Sequence, residues 1–194
     1  MRRLAFVLVM VSAVCAAWGA PQSVAVGKAT LSAAVLDWDG QTIIASGGAS
    51  LVASSNAPLK PGGTRLDYMK AETITIQLLR DANKKLAMKS ASATGGVVMK
   101  AKRSDQEQTT DGKPLTIIRD VSATARSAVL TQNQDAVKLT GNVIIKITDP
   151  GAAEPYALIT GEIVTVSLKD NKIHIEGPPG KQAEFTITPK EQAK

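Results

Sequence analysis

One cysteine and one histidine stand in 194 residues. Cys15 lies in an apolar N-terminal stretch, so the remaining chain can form no disulfide and do no thiol chemistry. His174 alone excludes a multi-histidine metal centre. Aromatic residues are only 3% of the chain. Past the first stretch they are Trp38, Tyr68, Tyr156 and Phe185, too dispersed to stack bases or sugar rings. Gly-x-Ser-x-Gly, His-Glu-x-x-His and phosphate-loop patterns are missing as well. Asp37 and Asp39 are two apart and flank Trp38 before Gly40, which reads as a turn rather than as a glycosidase acid pair. These absences argue against an enzyme, a bound cofactor or metal, nucleic acid as partner, and a carbohydrate-active solenoid. Sustained helical periodicity is also missing after the N-terminal run.

That run has the order of an export signal. Arg2 and Arg3 precede apolar Leu4 to Ala17, and small residues at Ala17 and Gly19 suit cleavage near Gly19 or Ala20. It is shorter than the roughly 20 residues of a spanning helix. The expectation is a signal peptide over 1–20 and one exported domain over 21–194. A retained anchor is the alternative; lipidation of Cys15 is opposed by bulky Val14. The formal charge of +6 falls by two without Arg2 and Arg3, a mild basicity that favours anionic partners without demanding them.

What the chain has is alternation. Val137, Leu139, Val143, Ile145 and Ile147 share one strand face, with Lys138, Thr140, Asn142 and Lys146 on the other and Ile144 as the exception. Val164, Val166 and Leu168 alternate with Thr165 and Ser167; Ile173 and Ile175 alternate with His174 and Glu176. About eight long strands emerge: Val24–Leu36, Thr42–Ala53, Arg65–Leu79, Leu86–Lys102, Leu115–Leu130, Ala136–Thr148, Tyr156–Leu168 and Ile173–Thr188. Polar turns and three longer loops connect them, and sequential antiparallel pairing is the simplest topology. Most exceed the usual 5–6 residues, and a glycine inside a strand marks a bulge or bend. Gly47, Gly95 and Gly141 recur at a near-constant interval; with Gly161 and Gly177 they predict one crease across the sheet. The fold class expected is therefore all-β, a single antiparallel sheet folded over its own apolar face.

The stretch Ala123–Leu130, the turn Gln132-Asn133-Gln134-Asp135, and Val137-Lys138-Leu139-Thr140-Gly141-Asn142-Val143 resemble the repeat of the OstA-like family, which includes LptA and the periplasmic part of LptC. Internally, Ala71-Glu72-Thr73-Ile74-Thr75-Ile76-Gln77-Leu78 parallels Gly161-Glu162-Ile163-Val164-Thr165-Val166-Ser167-Leu168. Gly47-Gly48 and Gly95-Gly96 depart from the family's Gly-Asn. The resemblance implies a periplasmic β-jellyroll with an apolar groove. It also implies shielding of lipopolysaccharide, or a related amphiphile, on the way to the outer membrane, and stacking with itself or other OstA-like jellyrolls. The groove candidates are Ile74, Ile76, Leu78, Leu139, Val143, Ile145, Val164, Val166 and Leu168, and the head-group candidates are Lys100, Lys102 and Arg103. The alternative is a non-catalytic scaffold with a closed core, acting through its edge strands.

Overall fold

The computed structural model describes residues 21–26, 29–53, 59–80, 86–131, 135–177, 180 and 183–187. The expected export signal and Cys15 lie outside them. Eleven strands form one antiparallel sheet among the described residues. They are β1 (Gln22–Val26), β2 (Ala29–Ala33), β3 (Val35–Trp38), β4 (Thr42–Ala53), β5 (Thr64–Arg80), β6 (Leu86–Gln108), β7 (Pro114–Thr131), β8 (Ala136–Thr148), β9 (Ala157–Ser167), β10 (Ile173–Glu176) and β11 (Glu184–Ile187). From β4 to β9 each strand pairs with its successor, and the sheet is not closed into a barrel. The six long strands match the alternation reading to within a residue or two, except that β6 continues past Lys102 to Gln108 through residues expected in a polar loop, because they pair with the start of β7. The two terminal segments do not remain single strands: Val24–Leu36 divides among β1, β2 and β3, and Ile173–Thr188 divides into β10 and β11.

A line of register shifts accounts for the length of the middle strands and for the divisions of β2 from β3 and of β10 from β11. Shifts fall at Ser46/Ala49, Lys70/Thr73, Thr94/Val97, Thr124/Ser127 and Thr140/Val143. On β4, β6 and β8 the line carries a pair of residues with positive φ: Gly47-Gly48, Gly95-Gly96 and Gly141-Asn142. On β5, β7 and β9 it carries one outward polar residue out of phase: Glu72, Arg126 and Glu162. Two residues thus oppose one at each joint, which is the composition of a bulge and bends the strand. The inward phase shifts accordingly, from Met69 and Ala71 to Ile74 and Ile76 on β5, and from Ala123 and Ala125 to Ala128 and Leu130 on β7. A β-carbon added at Gly95 would lie 2.4 Å from Cβ of Glu72, and one at Gly141 would lie 2.6 Å from Cβ of Arg126. The strands are therefore this close because one residue has no side chain.

The crease divides the sheet into two leaves that close on each other. We call leaf 1 the halves holding residues 42–46, 73–80, 86–94, 127–131, 136–140 and 163–167, and leaf 2 the rest. At both ends of the long-strand array, the next strand position is split at the same line, and β1 lies outside β2. β3 pairs with the leaf 1 half of β4 and β2 with its leaf 2 half; β10 and β11 divide β9 likewise. Gly161 lies on the line without a positive φ, on the face toward Ile175, where an added Cβ would approach Cγ2 within 2.8 Å. Gly177 follows β10 and lies outside any strand, so it does not crease one.

Inside the fold, small side chains lie against the spine. Ala49 pairs with Ala71, Val97 with Ala125 and Val143 with Gly161. Larger ones stand one row out, with Leu31, Ile74, Ile76, Leu139, Ile145 and Ile159 almost wholly buried. Each such side chain contributes about 1.5–3 kcal/mol by leaving water.

Candidate functional site

The inner face opens into a slot away from the spine. Leu66 of β5, Met99 of β6 and Val121 of β7 come from leaf 2; Val137 of β8 and Val166 and Leu168 at the end of β9 come from leaf 1. Leu139 and Ile145 form its floor, and Thr64 is its polar rim. The enclosed space is about 40 Å³, room for one or two waters. Of the nine residues picked out as a groove, Leu139, Ile145, Val166 and Leu168 meet at this slot. Ile74, Ile76, Val143 and Val164 are buried in the closed interior, and Leu78 packs against it half-buried.

A turn crosses the opening. Residues 168–172, which follow β9 in leaf 1, reach the start of β5 and the middle of β6 in leaf 2. The Thr64 N–H donates to the Leu168 carbonyl at 2.9 Å, and the Thr64 hydroxyl donates to Oδ1 of Asn171 at 2.6 Å. Nδ2 of Asn171 donates to the Ser104 carbonyl at 2.8 Å. Asn171 has φ +57°, a left-handed conformation that asparagine tolerates better than most residues. The turn is fastened by Asp170, whose carboxyl is held down to about 2 by the Ser167 hydroxyl and by Lys172. The side-chain hydroxyl of Ser104 is itself buried without a hydrogen-bond partner.

Beyond the slot the inner face of leaf 2 becomes ionic. Arg119 is 3% exposed. Its Nε donates to Asp149 at 2.7 Å, Nη1 to Asp105 at 3.0 Å, and Nη2 to Glu107. The ring of Tyr156 lies 4.3 Å from its guanidinium carbon. Burial works against the charge, but the three carboxylates outweigh it and raise the guanidinium's proton affinity. Arg103 pairs with the same Asp105 at 2.7 Å. This cluster was not expected from the sequence. Arg119 shares the inward phase of Val121 and Ala123, and Arg103, Asp105 and Glu107 share that of Met99 and Ala101; charges in the apolar phase were the available signal.

The three head-group candidates do not come together. Arg103 joins the inner ionic cluster, whereas Lys100 and Lys102 are on the outer face, Lys102 bonded to Asp120 at 2.8 Å. Neighbours in a strand alternate faces, so adjacency in sequence separated them. His174 is exposed and lies 3.5 Å from Glu176. Asp39 is a turn residue, accepting the N–H groups of Gln41 and Thr42, which hold its carboxyl below the usual range. Asp37 belongs instead to β3. Among the described residues no cluster of acids, histidines and cysteines is arranged to hold a metal, and no helix is long and apolar enough to cross a membrane.

The architecture has a counterpart among solved structures. The crystal structure of LptH from Pseudomonas aeruginosa, described as the LptA-homologous periplasmic component of the lipopolysaccharide transport device, superposes with a TM-score of 0.54 at 12% identity. The match covers 83% of this chain and 95% of LptH. This chain has the LptA-like fold. No protein-family model matches the sequence, and no curated protein matches it. The likeness to LptH is therefore one of fold, not of residue identity.

Proposed function

We propose that this protein is a periplasmic carrier that shields the acyl chains of lipopolysaccharide, or a related amphiphile, between its two leaves during transfer toward the outer membrane. The observation that carries the reading is the slot itself: an apolar cleft between leaves of an LptA-like sheet, closed by a few polar contacts rather than by packed side chains. An acyl chain of about a dozen carbons exposes on the order of 10 kcal/mol of apolar surface to water, at ~0.8 kcal/mol per CH₂. Pockets that hold organic ligands usually measure roughly 300–1,000 Å³, well above this slot. Loading therefore requires the leaves to part at the clasp while the creased spine stays intact. Leu139, Ile145, Val166 and Leu168 would then meet the chain first, and the more deeply buried candidates would contribute only as the leaves spread.

The test is recovery of the protein from a periplasm that contains lipopolysaccharide, followed by mass spectrometry, and titration of the stripped protein with the same lipid. Leu168→Glu, which puts a carboxylate in the half-buried slot wall, should cut binding at least about tenfold, since a buried unpaired charge costs more than one decade of affinity. Absence of any amphiphile together with no binding of added lipopolysaccharide would sink the reading.

Edge assembly is supported by a separate observation. β11 is exposed along its whole length, with Phe185 and Ile187 about half exposed, and Val35 and Trp38 of β3 are similarly uncovered at the opposite edge. Open edges of this kind template pairing with another sheet. Light scattering over a concentration series checks it; a protein monomeric throughout would rule out self-stacking.

A further inference from the structure

The leaves present unlike faces to solvent. Leaf 1 shows mostly hydroxyls outward, including Thr75, Ser90, Ser92, Thr140 and Thr165, with Lys138 among them. Leaf 2 shows lysines from three strands. Its register sets Tyr68, Lys100, Ser122 and Lys146 in one transverse row, and Lys70, Val98, Thr124 and Ile144 in the next. Strands lie about 4.8 Å apart, so Lys100 on β6 and Lys146 on β8 stand about 10 Å apart. Lys70, Lys100 and Lys146 are exposed, and no carboxylate pairs with them among the described residues. Lys102 and Arg65, at the rim of the same face, are bonded to Asp120 and Asp67. Between the lysines Val98 and Ile144 are 40% and 41% exposed, and Val52 continues the apolar set at 45%. A cleft of about 380 Å³ lies beside the row, where Tyr68, Lys100 and Ser122 meet the two ion-paired residues Lys102 and Asp120, with Asp67 at its edge.

We propose that this outer face of leaf 2 docks on an anionic phospholipid surface. Ammonium groups reach the lipid phosphates from long flexible stems, while the short aliphatic side chains between them enter the head-group boundary. Three uncompensated cations on one rigid face add their attraction to a negative surface, each strengthening binding about fivefold. A soluble polyanion would satisfy the lysines equally well. It would gain nothing from Val52, Val98 and Ile144, and that is why the lipid surface is the better occupant. The face points away from the slot, so this inference does not depend on what the slot carries.

Flotation with vesicles of phosphatidylcholine, alone or mixed with phosphatidylglycerol, reads the docking directly. The full chain is used throughout, so any contribution of its N-terminal stretch is common to every variant. The wild-type chain should float with the mixed vesicles, less so at high salt. K70S/K100S/K146S should weaken binding about 100-fold, and K70R/K100R/K146R should restore it. V98S/I144S should reduce vesicle binding but leave retention on soluble dextran sulfate unchanged. The proposal is overturned if the wild-type chain ignores phosphatidylglycerol or if the serine triple variant, folded by circular dichroism, floats as well as wild type. It is equally overturned if V98S/I144S floats unchanged, which would mark the face as a site for a soluble polyanion.

Discussion

Gly95 and Gly96 are neighbours in the crease with the same backbone strain and opposite surroundings, and alanine at each separates two causes that are otherwise merged. Both have positive φ, +84° and +78°. An L-residue in that region costs roughly 1–2 kcal/mol, so both variants should lose that much. They differ in space. An alanine Cβ at Gly96 meets nothing within 4 Å, whereas at Gly95 it would lie 2.4 Å from Cβ of Glu72. That atom is fixed to the β5 backbone and cannot swing aside, so the strands must separate. Overpacking of this kind costs typically about 1–3 kcal/mol. Gly96→Ala should therefore destabilise by about 1–2 kcal/mol and Gly95→Ala by about 2–5 kcal/mol, summing the two sources. Urea unfolding with unchanged m-values is the assay. Glu72→Gly should recover much of the difference in the Gly95→Ala background, because the clashing atom is then gone; the double-mutant cycle isolates that coupling. Equal losses at the two glycines, within about 0.5 kcal/mol, would refute the claim that close approach of β5 and β6 holds the crease, leaving backbone conformation as its only cause.

Other consequences can be measured on the same scale. Arg119→Ala removes the buried cation that bridges Asp105, Glu107 and Asp149, with Arg103 still on Asp105, and should cost about 3 kcal/mol, with Arg119→Lys intermediate, read by thermal or urea melting. Ser104→Ala removes a buried hydroxyl that has no partner and should stabilise by up to about 1 kcal/mol; a loss larger than that would mean the hydroxyl is satisfied in solution. The depressed carboxyl of Asp170 gives a pH signature. Its folded value of about 2 lies below the ordinary value of 3.8, so its contribution is complete above pH 4 and fades as pH falls toward 2. Melting temperatures from pH 5 to 2 should fall less steeply in Asp170→Asn than in wild type, and parallel curves would remove Asp170 from the acid response of the clasp turn.

Much of the architecture was legible because strand alternation is local. The phase of Val137, Leu139, Val143, Ile145 and Ile147 is read within one segment, and the structure buries all five while leaving Ile144 exposed. The crease was legible on β4, β6 and β8, where glycine announces it. On β5, β7 and β9 it is written as a single outward polar residue, visible only as a change of phase between Ala71 and Ile74 or between Ala125 and Ala128. The outer strands failed for a different reason. On the N-terminal side Ala34 stands alone opposite Gly47, so β2 gives way to β3 at the line, while β1 pairs back antiparallel on β2; on the C-terminal side β10 and β11 pair with separate halves of β9.

The site was less legible because its contacts are distant in sequence. Thr64, Ser104 and Asn171 meet only after the leaves close, and none belongs to a pattern by itself. Arg119 gathers Asp105, Glu107 and Asp149 in the same way. The physical division within the inner face follows from this. Near the spine, small side chains line the interior, and the missing Cβ of Gly95 and Gly141 lets neighbouring strands approach closely. At the rim, hydrogen bonds worth about 0.5–1.5 kcal/mol each hold the leaves together. Opening the rim therefore breaks the four hydrogen bonds of the turn, whereas opening the spine would disrupt the strand pairing itself. A fold with that gradient parts at the slot first, and the first apolar surface it exposes is that of Leu66, Val121, Val166 and Leu168. The same gradient fixes the order in which a long acyl chain would enter: rim first, then Leu139 and Ile145, with Ile74 and Val164 reached only by a ligand large enough to spread the leaves along their length.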